Sequence, residues 1–223
     1  SFRVDVTGTA PGLNHSHYSA LQVKNALVDL QRELWGERSS IDLDHPDLAL
    51  PLHLHHGGAV LSLDGSGGSL HRRGYRAAMG AAPLKENLAA GLIQLTGWDG
   101  RMPLVDPCCG SGILLIEAVT MALQQAPGLG RQFGLEGWAD FDRELWEREH
   151  ARARQRRRSD LDLAPVVGYE QDPLIADQAR DNIQAAGLDG LISIHCGSFD
   201  QQTLPAGPGL LVCNPPYGHR VGA

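Results

Sequence analysis

The sequence predicts an α/β fold with a doubly wound, Rossmann-like parallel sheet, and three observations carry that prediction. Beyond about residue 84, apolar strands alternate with amphipathic helices, a pattern that favours parallel strands joined by helical crossovers. One strand ends in Asp106 and turns through Gly110-Ser111-Gly112 directly into a helical run. Another ends in Glu170, and the carboxyl ends of strands are where such sheets place ligands. The organisation divides near residue 80, because the chain before it follows a different pattern.

In that first part, residues 2–6 read as a strand and residues 18–35 as a helix, amphipathic through Leu21, Val28 and Leu34. Leu48, Leu50, Leu52 and Leu54 alternate with other residues, which gives a half-buried strand with His53 and His55 on the other face. Residues 59–64 read as its hairpin partner across His56-Gly57-Gly58, and residues 65–68 as a flexible turn. Past the division, Leu84, Leu88, Leu92 and Leu95 form one helical face, with Pro83 suited to a first turn. A strand at 103–106, a helix at 111–125 and an irregular, Trp-bearing insertion to about residue 160 follow. The visible set closes with strand 166–170, helix 172–186, strand 191–196 and strand 209–213.

Composition places the chain among ordinary globular proteins, with 42% apolar and 20% charged residues. No run of about 18 apolar residues is present to span a membrane. Cys108, Cys109, Cys196 and Cys213 have no C-x-x-C spacing and read as reduced packing residues, which gives a cytoplasmic location as the default. No metal site is expected, since the histidines at 15, 17, 53, 55 and 56 have no carboxylate at ligand spacing. The net charge is −7, so bulk electrostatics do not steer this chain to nucleic acid. With Lys24 and Lys85 the only lysines, 17 of the 19 basic residues are Arg. They concentrate at Arg72-Arg73-Gly74-Tyr75-Arg76 and at residues 152–158, and Arg suits bidentate phosphate contact better than Lys. A solvated helix end explains the second run equally well.

Two motifs carry chemistry. At Asp106-Pro107-Cys108-Cys109-Gly110-Ser111-Gly112 the glycines let backbone approach a ligand, and the following helix offers its unpaired N–H groups. A dinucleotide site needs a third glycine where Leu115 stands, which disfavours nicotinamide and flavin. Glu170 supplies a carboxylate that can accept from both hydroxyls of a ribose. At Asn214-Pro215-Pro216-Tyr217 the two prolines fix the backbone, so the Asn214 side-chain oxygen and a neighbouring carbonyl form two acceptors aimed at one –NH2 group. Tyr217 offers a face on which a flipped base could stack.

In order and spacing these motifs resemble the S-adenosylmethionine-dependent methyltransferases that modify exocyclic amines of nucleobases. Residues 2–76 resemble the later part of a THUMP domain, an RNA-binding α+β module. The run His71-Arg72-Arg73-Gly74-Tyr75-Arg76, then Ala82-Pro83-Leu84-Lys85-Glu86, is similar to the join of THUMP and catalytic domains in large-subunit ribosomal RNA guanine-N2 methyltransferases. Ala126-Pro127-Gly128-Leu129 and Gly137-Trp138 resemble an insertion of that group. The resemblance covers nearly the whole chain and implies a THUMP part at 1–76 and a methyltransferase domain at 77–223. It also implies sheet strands C-terminal to this chain, so that the chain is a fragment of a longer protein.

The resemblance further implies an S-adenosylmethionine site from Asp106, Cys108, Gly110, Ser111, Gly112, Glu117, Glu170, Gln171, Ser198, Phe199 and Asn214. It implies an acceptor site from Asn214, Pro215, Pro216 and Tyr217, and RNA contacts from Arg72, Arg73 and Arg76. The family has an Asp for the adenine amine where this chain has Ser198, so either Ser198 or Asp200 takes that contact. The expected reaction is methyl transfer to guanine N2 in ribosomal RNA. Adenine-N6 methylation of RNA or DNA, or an RNA-binding module with a vestigial catalytic fold, are the alternatives.

Overall fold

The computed structural model describes residues 1–76 and 84–215, so Pro83, Pro216 and Tyr217 lie outside the described residues. It divides into two compact units, Ser1–Ser69 with Gln132–Glu144, and Leu70–Arg131 with Leu145–Ala223.

The first unit holds β1 (Phe2–Gly8), α1 (Ser16–Trp35), β2 (Leu48–His55) and β3 (Gly58–Leu61). β1 pairs parallel to β2, and β3 returns antiparallel across a turn at Gly57, whose φ is +99°. The alternating leucines bury Leu52 and Leu54, while His53 and His55 stay exposed on the opposite face. Only part of the expected face of α1 is used. Ser19 and Val28 are buried, but Leu21 and Leu34 are exposed. Residues 65–68 are not a free turn. The Gly65 carbonyl accepts the Leu135 N–H at 3.0 Å, and a Cβ on Gly67 would stand 2.6 Å from the Gly134 nitrogen.

The second unit carries α2 (Glu86–Thr96), β4 (Leu104–Asp106), α3 (Ile113–Ala122), most of α4 (Arg143–Gln155), β5 (Val166–Glu170), α5 (Pro173–Ala185), β6 (Ser193–Cys196) and β7 (Leu210–Leu211). The four strands are all parallel in the order β6-β5-β4-β7. Helix α3 is apolar nearly all round and is buried along almost its whole length, as expected of a helix at the centre of a core. Gly168 shows how tightly α3 sits on the sheet. A Cβ there would come within 2.7 Å of Leu115 and 2.8 Å of both Cys109 Sγ and Ile194.

Two expectations are corrected. The leucine face of α2 points outward, with Leu88, Leu92 and Leu95 exposed, and the buried stripe is Glu86, Ala89 and Ile93. Ala89 and Ile93 pack flush into the core, and a buried Glu86 is admitted because the Arg76 guanidinium and the His71 ring meet it there. The segment expected to be irregular contains α4, a helix with no buried residue. Its Arg- and Glu-rich sequence lacks the apolar stripe that reveals a packed helix.

Candidate functional site

The carboxyl edge of the parallel sheet collects most of the expected site residues. β4 delivers Asp106 and the glycine loop, β5 delivers Glu170 and Gln171, β6 leads to Ser198 and Phe199, and β7 leads to Asn214 and Pro215. Register aligns Val105 with Leu211, and the Val212 N–H donates to the Val105 carbonyl at 2.9 Å. This pairing places Asn214 beside the loop, and Asp106, Cys108, Gly110, Ser111 and Asn214 line one cleft of about 130 Å³. Leu84, Cys109, Ile113 and Leu114 complete its wall.

The loop is held from behind by side chains. One Asp106 oxygen accepts the Cys108 N–H at 3.1 Å, and Glu170 accepts the Gly110 N–H at 3.0 Å and the Asp172 N–H at 2.9 Å. Glu170 therefore shapes the loop, in addition to the ribose role expected of it. Asp106 is almost completely buried, and that burial, with Glu170 nearby, raises its carboxyl to about 7, although the Cys108 N–H opposes the shift. Burial and the neighbouring Cys213 push the Cys108 thiol up.

Gly110 and Gly112 take φ of +53° and +82°, which L side chains rarely adopt. A Cβ on Gly110 would project into open space, so the bare backbone leaves room for a ligand. Among the described residues no side chain caps α3 at Gly112, whereas Asp172 caps α5 by accepting from Leu174 and Ile175. The first-turn N–H groups of α3 are thus available at the cleft, where Ile113 and Leu114 form its wall.

Further along the edge, the Ser198 hydroxyl donates to Asp200, so the two candidates for one adenine contact are joined. Phe199 meets Tyr169 edge to face at 5.5 Å between ring centroids. The Gln171 carbonyl accepts the Cys196 thiol at 3.9 Å.

Three expected site residues are placed elsewhere. Glu117 is buried in α3 and does not line this cleft. It pairs with Arg73 at 3.1 Å and accepts the Tyr75 hydroxyl at 2.9 Å. Burial pushes the Glu117 carboxyl up, with Arg73 and Tyr75 opposing, and burial beside Glu117 pushes the Tyr75 phenol up as well. Arg73 and Arg76 are correspondingly turned inward, with side chains 14% and 9% exposed. Arg76 meets Glu86 at 3.5 Å and donates to the Leu84 carbonyl at 2.7 Å, and His71 joins Glu86 at 2.9 Å. The reason is electrostatic, since a buried carboxylate needs a cation and these arginines supply it. Arg72 remains exposed. A second cavity, of about 200 Å³, lies beside this network between Arg73, Tyr75, Glu117, Gln125 and Ala186.

Asn182 was missed by the sequence reading. It is buried on α5, and its side-chain amide donates to the Ser111 carbonyl at 3.0 Å. A lone Asn on the apolar face of Ala176, Ala179 and Ile183 was the available signal.

Comparison with known proteins gives the family. Residues 73–223 match the RMKL-like methyltransferase domain, and residues 1–64 match the THUMP domain. A Synechocystis sp. protein that carries an RNA-methyltransferase name is 45% identical over the whole chain, which spans 58% of it. The ribosomal RNA large subunit methyltransferase K/L of Stutzerimonas stutzeri is also 45% identical, and the chain spans 32% of that protein. Among solved structures, SMU.472, crystallised with SAH (S-adenosylhomocysteine), is 30% identical with a TM-score of 0.86 over 98% of this chain and 58% of that one. A methyltransferase family with such a neighbour implies S-adenosylmethionine as the cofactor. The residues fit it, because the bare face of Gly110, the uncapped start of α3 and the Asp106 carboxyl meet in one cleft. Fold, cleft and sequence agree, and the chain belongs to the RMKL-like methyltransferase family, with a THUMP domain preceding the catalytic one.

Proposed function

We propose that the protein containing this chain transfers a methyl group from S-adenosylmethionine to the exocyclic N2 amine of a guanine in ribosomal RNA. The observation that carries the reading is that Asn214 and the Asp106–Gly110–Ser111 loop line the same cleft. The names of the K/L relatives support ribosomal RNA as the substrate, and the THUMP match supports RNA. A cytoplasmic location goes with that substrate.

Asp106, Gly110, Ser111 and Gly112 would hold the cofactor, with Glu170 and the Ser198–Asp200 pair further along the same edge. When bound, S-adenosylmethionine supplies a methyl group already activated by its sulfonium. The chain's own contribution is alignment. A ring amine is a weak nucleophile because its lone pair is delocalised into the base. The Asn214 side-chain oxygen and the Pro215 carbonyl accept both amine hydrogens and favour a tetrahedral nitrogen facing the methyl donor. Orientation of this kind reaches effective molarities of about 10⁵ M or more. The proton leaves to water once the nitrogen is cationic, so no strong general base is required.

Two measurements test the reading. S-adenosylhomocysteine is titrated into the chain by calorimetry with Asp106→Ala as control, and saturable binding abolished in the variant is expected. The full-length protein is then incubated with unmodified ribosomal RNA and radiolabelled cofactor, and the RNA is digested to nucleosides. Label in N2-methylguanosine is expected. Label in N6-methyladenosine would replace guanine with adenine, a second reading that the paired acceptors of Asn214-Pro215 accommodate equally. A solved Listeria monocytogenes structure, 30% identical, bears the name of a predicted N6-adenine-specific DNA methylase.

A further inference from the structure

With Arg73 and Arg76 committed to buried carboxylates, most of the arginines expected to meet RNA do not face solvent. The remaining concentration of cations lies on α4 and the turn after it. Residues 143–158 hold seven arginines against three glutamates, a local excess of four positive charges in a chain of net charge −7. A helix of 13 residues that buries none of them gains little from packing, and such a length is marginal for an isolated helix. Its C-terminal end is nonetheless fixed to the second unit. The Arg158 N–H donates to the Leu123 carbonyl at 2.8 Å, and the Arg157 guanidinium donates to the Gly187 carbonyl at 3.2 Å.

Arg148, Arg152 and Arg156 recur every four residues, so they follow one stripe at steps of about 6 Å. The turn continues the helix, since the Arg156 and Arg157 N–H groups bond to the Arg152 and Arg154 carbonyls at 3.2 Å. Arg152 is steadied by Glu149 at 2.8 and 3.1 Å. Arg148, Arg154 and Arg156 are exposed and have no salt bridge among the described residues. The helix dipole accounts for cations near the last turn. It does not account for Arg148 in the middle of the helix. Guanidinium forks match phosphate bidentately where ammonium groups do not.

We infer that the exposed arginine stripe of α4, Arg148, Arg152 and Arg156, forms a docking surface for the phosphate backbone of RNA. The inference rests on the RNA-methyltransferase reading and deepens it. The arginine end of α4 meets the C-terminal end of α3, whereas the cleft is at the N-terminal end of α3, about 15 Å away for ten residues. A contact at that remove positions the strand and carries no base information.

Fluorescence anisotropy of a labelled RNA stem–loop, titrated with the full chain over a series of salt concentrations, tests the surface. Loss of three phosphate contacts in R148Q/R152Q/R156Q should lower the slope of log affinity against log salt by about 2–3. The R148K/R152K/R156K variant should keep most of the slope, and calorimetric affinity for S-adenosylhomocysteine should be unchanged in both. Equal slopes for wild type and the glutamine variant, with RNA still bound, would overturn the α4 surface and leave the enzymatic reading standing. A wild-type chain that binds S-adenosylhomocysteine but not the stem–loop would overturn the α4 surface. Equal affinity for polyglutamate would overturn the assignment to RNA.

Discussion

Asp106 and Asn214 share a cleft but sit in opposite environments, one buried in the strand end and the other exposed at the rim. Their substitutions should therefore separate binding from turnover. Asn214→Ala is expected to lower kcat by about a hundredfold or more, comparable with removal of one positioned hydrogen-bonding group, while the S-adenosylhomocysteine affinity stays within twofold or so of wild type. A matching loss in both quantities would show that Asn214 binds the cofactor rather than aligning the amine. For Asp106, the folded carboxyl sits near 7 and the unfolded one near the ordinary value of 3.8. Between those values the folded chain binds the extra proton, so the stability of the cofactor-free protein should fall as pH rises from about 4 to 7. Asp106→Asn should flatten that part of a Tm-against-pH curve, and curves that stay parallel would dismiss Asp106 as the cause.

At the scale of elements, the fit of α3 against the sheet and the clamp on the arginine segment carry the predictions. Gly168→Ala forces a methyl against Leu115, Cys109 and Ile194 and should cost about 1–3 kcal/mol in urea denaturation, as overpacking does. A neutral result would mean that α3 has room to shift. Glu117→Ala strands the Arg73 guanidinium and should cost about 3–5 kcal/mol, the range for a buried pair broken on one side. A cost below about 1 kcal/mol would indicate that Arg73 escapes to solvent. These elements also show why sequence reading erred at α2 and α4. Leucines every three or four residues mark an apolar face, yet the buried side of α2 carries Ala89 and Ile93, where the core takes one small and one large apolar side chain beside the ion-paired Glu86. A polar helix such as α4 leaves no periodic apolar trace at all.

For the molecule as a whole, all loop and acceptor residues of the cleft belong to the second compact unit. Saturating S-adenosylhomocysteine should therefore slow amide hydrogen exchange in residues 104–115 and 166–171 and leave residues 1–69 unchanged. Protection within the first unit would show that the cofactor site reaches into it. The charge distribution belongs to this scale as well, since a net charge of −7 coexists with the basic stretch at 143–158.

The sequence by itself determined the strand-to-loop-to-helix order, the glycine turn after Asp106 and the acceptor corner at Asn214, because local backbone chemistry fixes those features. It also determined the parallel alternation that gathers them at one edge of the sheet. Tertiary structure alone decided which charges face inward. Glu117 reads as a cofactor residue and Arg73 as an RNA contact until the fold buries them against each other, since a buried carboxylate requires a cation whatever its place in a motif. The same holds for Asn182, since its place on an apolar helix face marks it as unusual but its partner, the Ser111 carbonyl, lies 71 positions away along the chain.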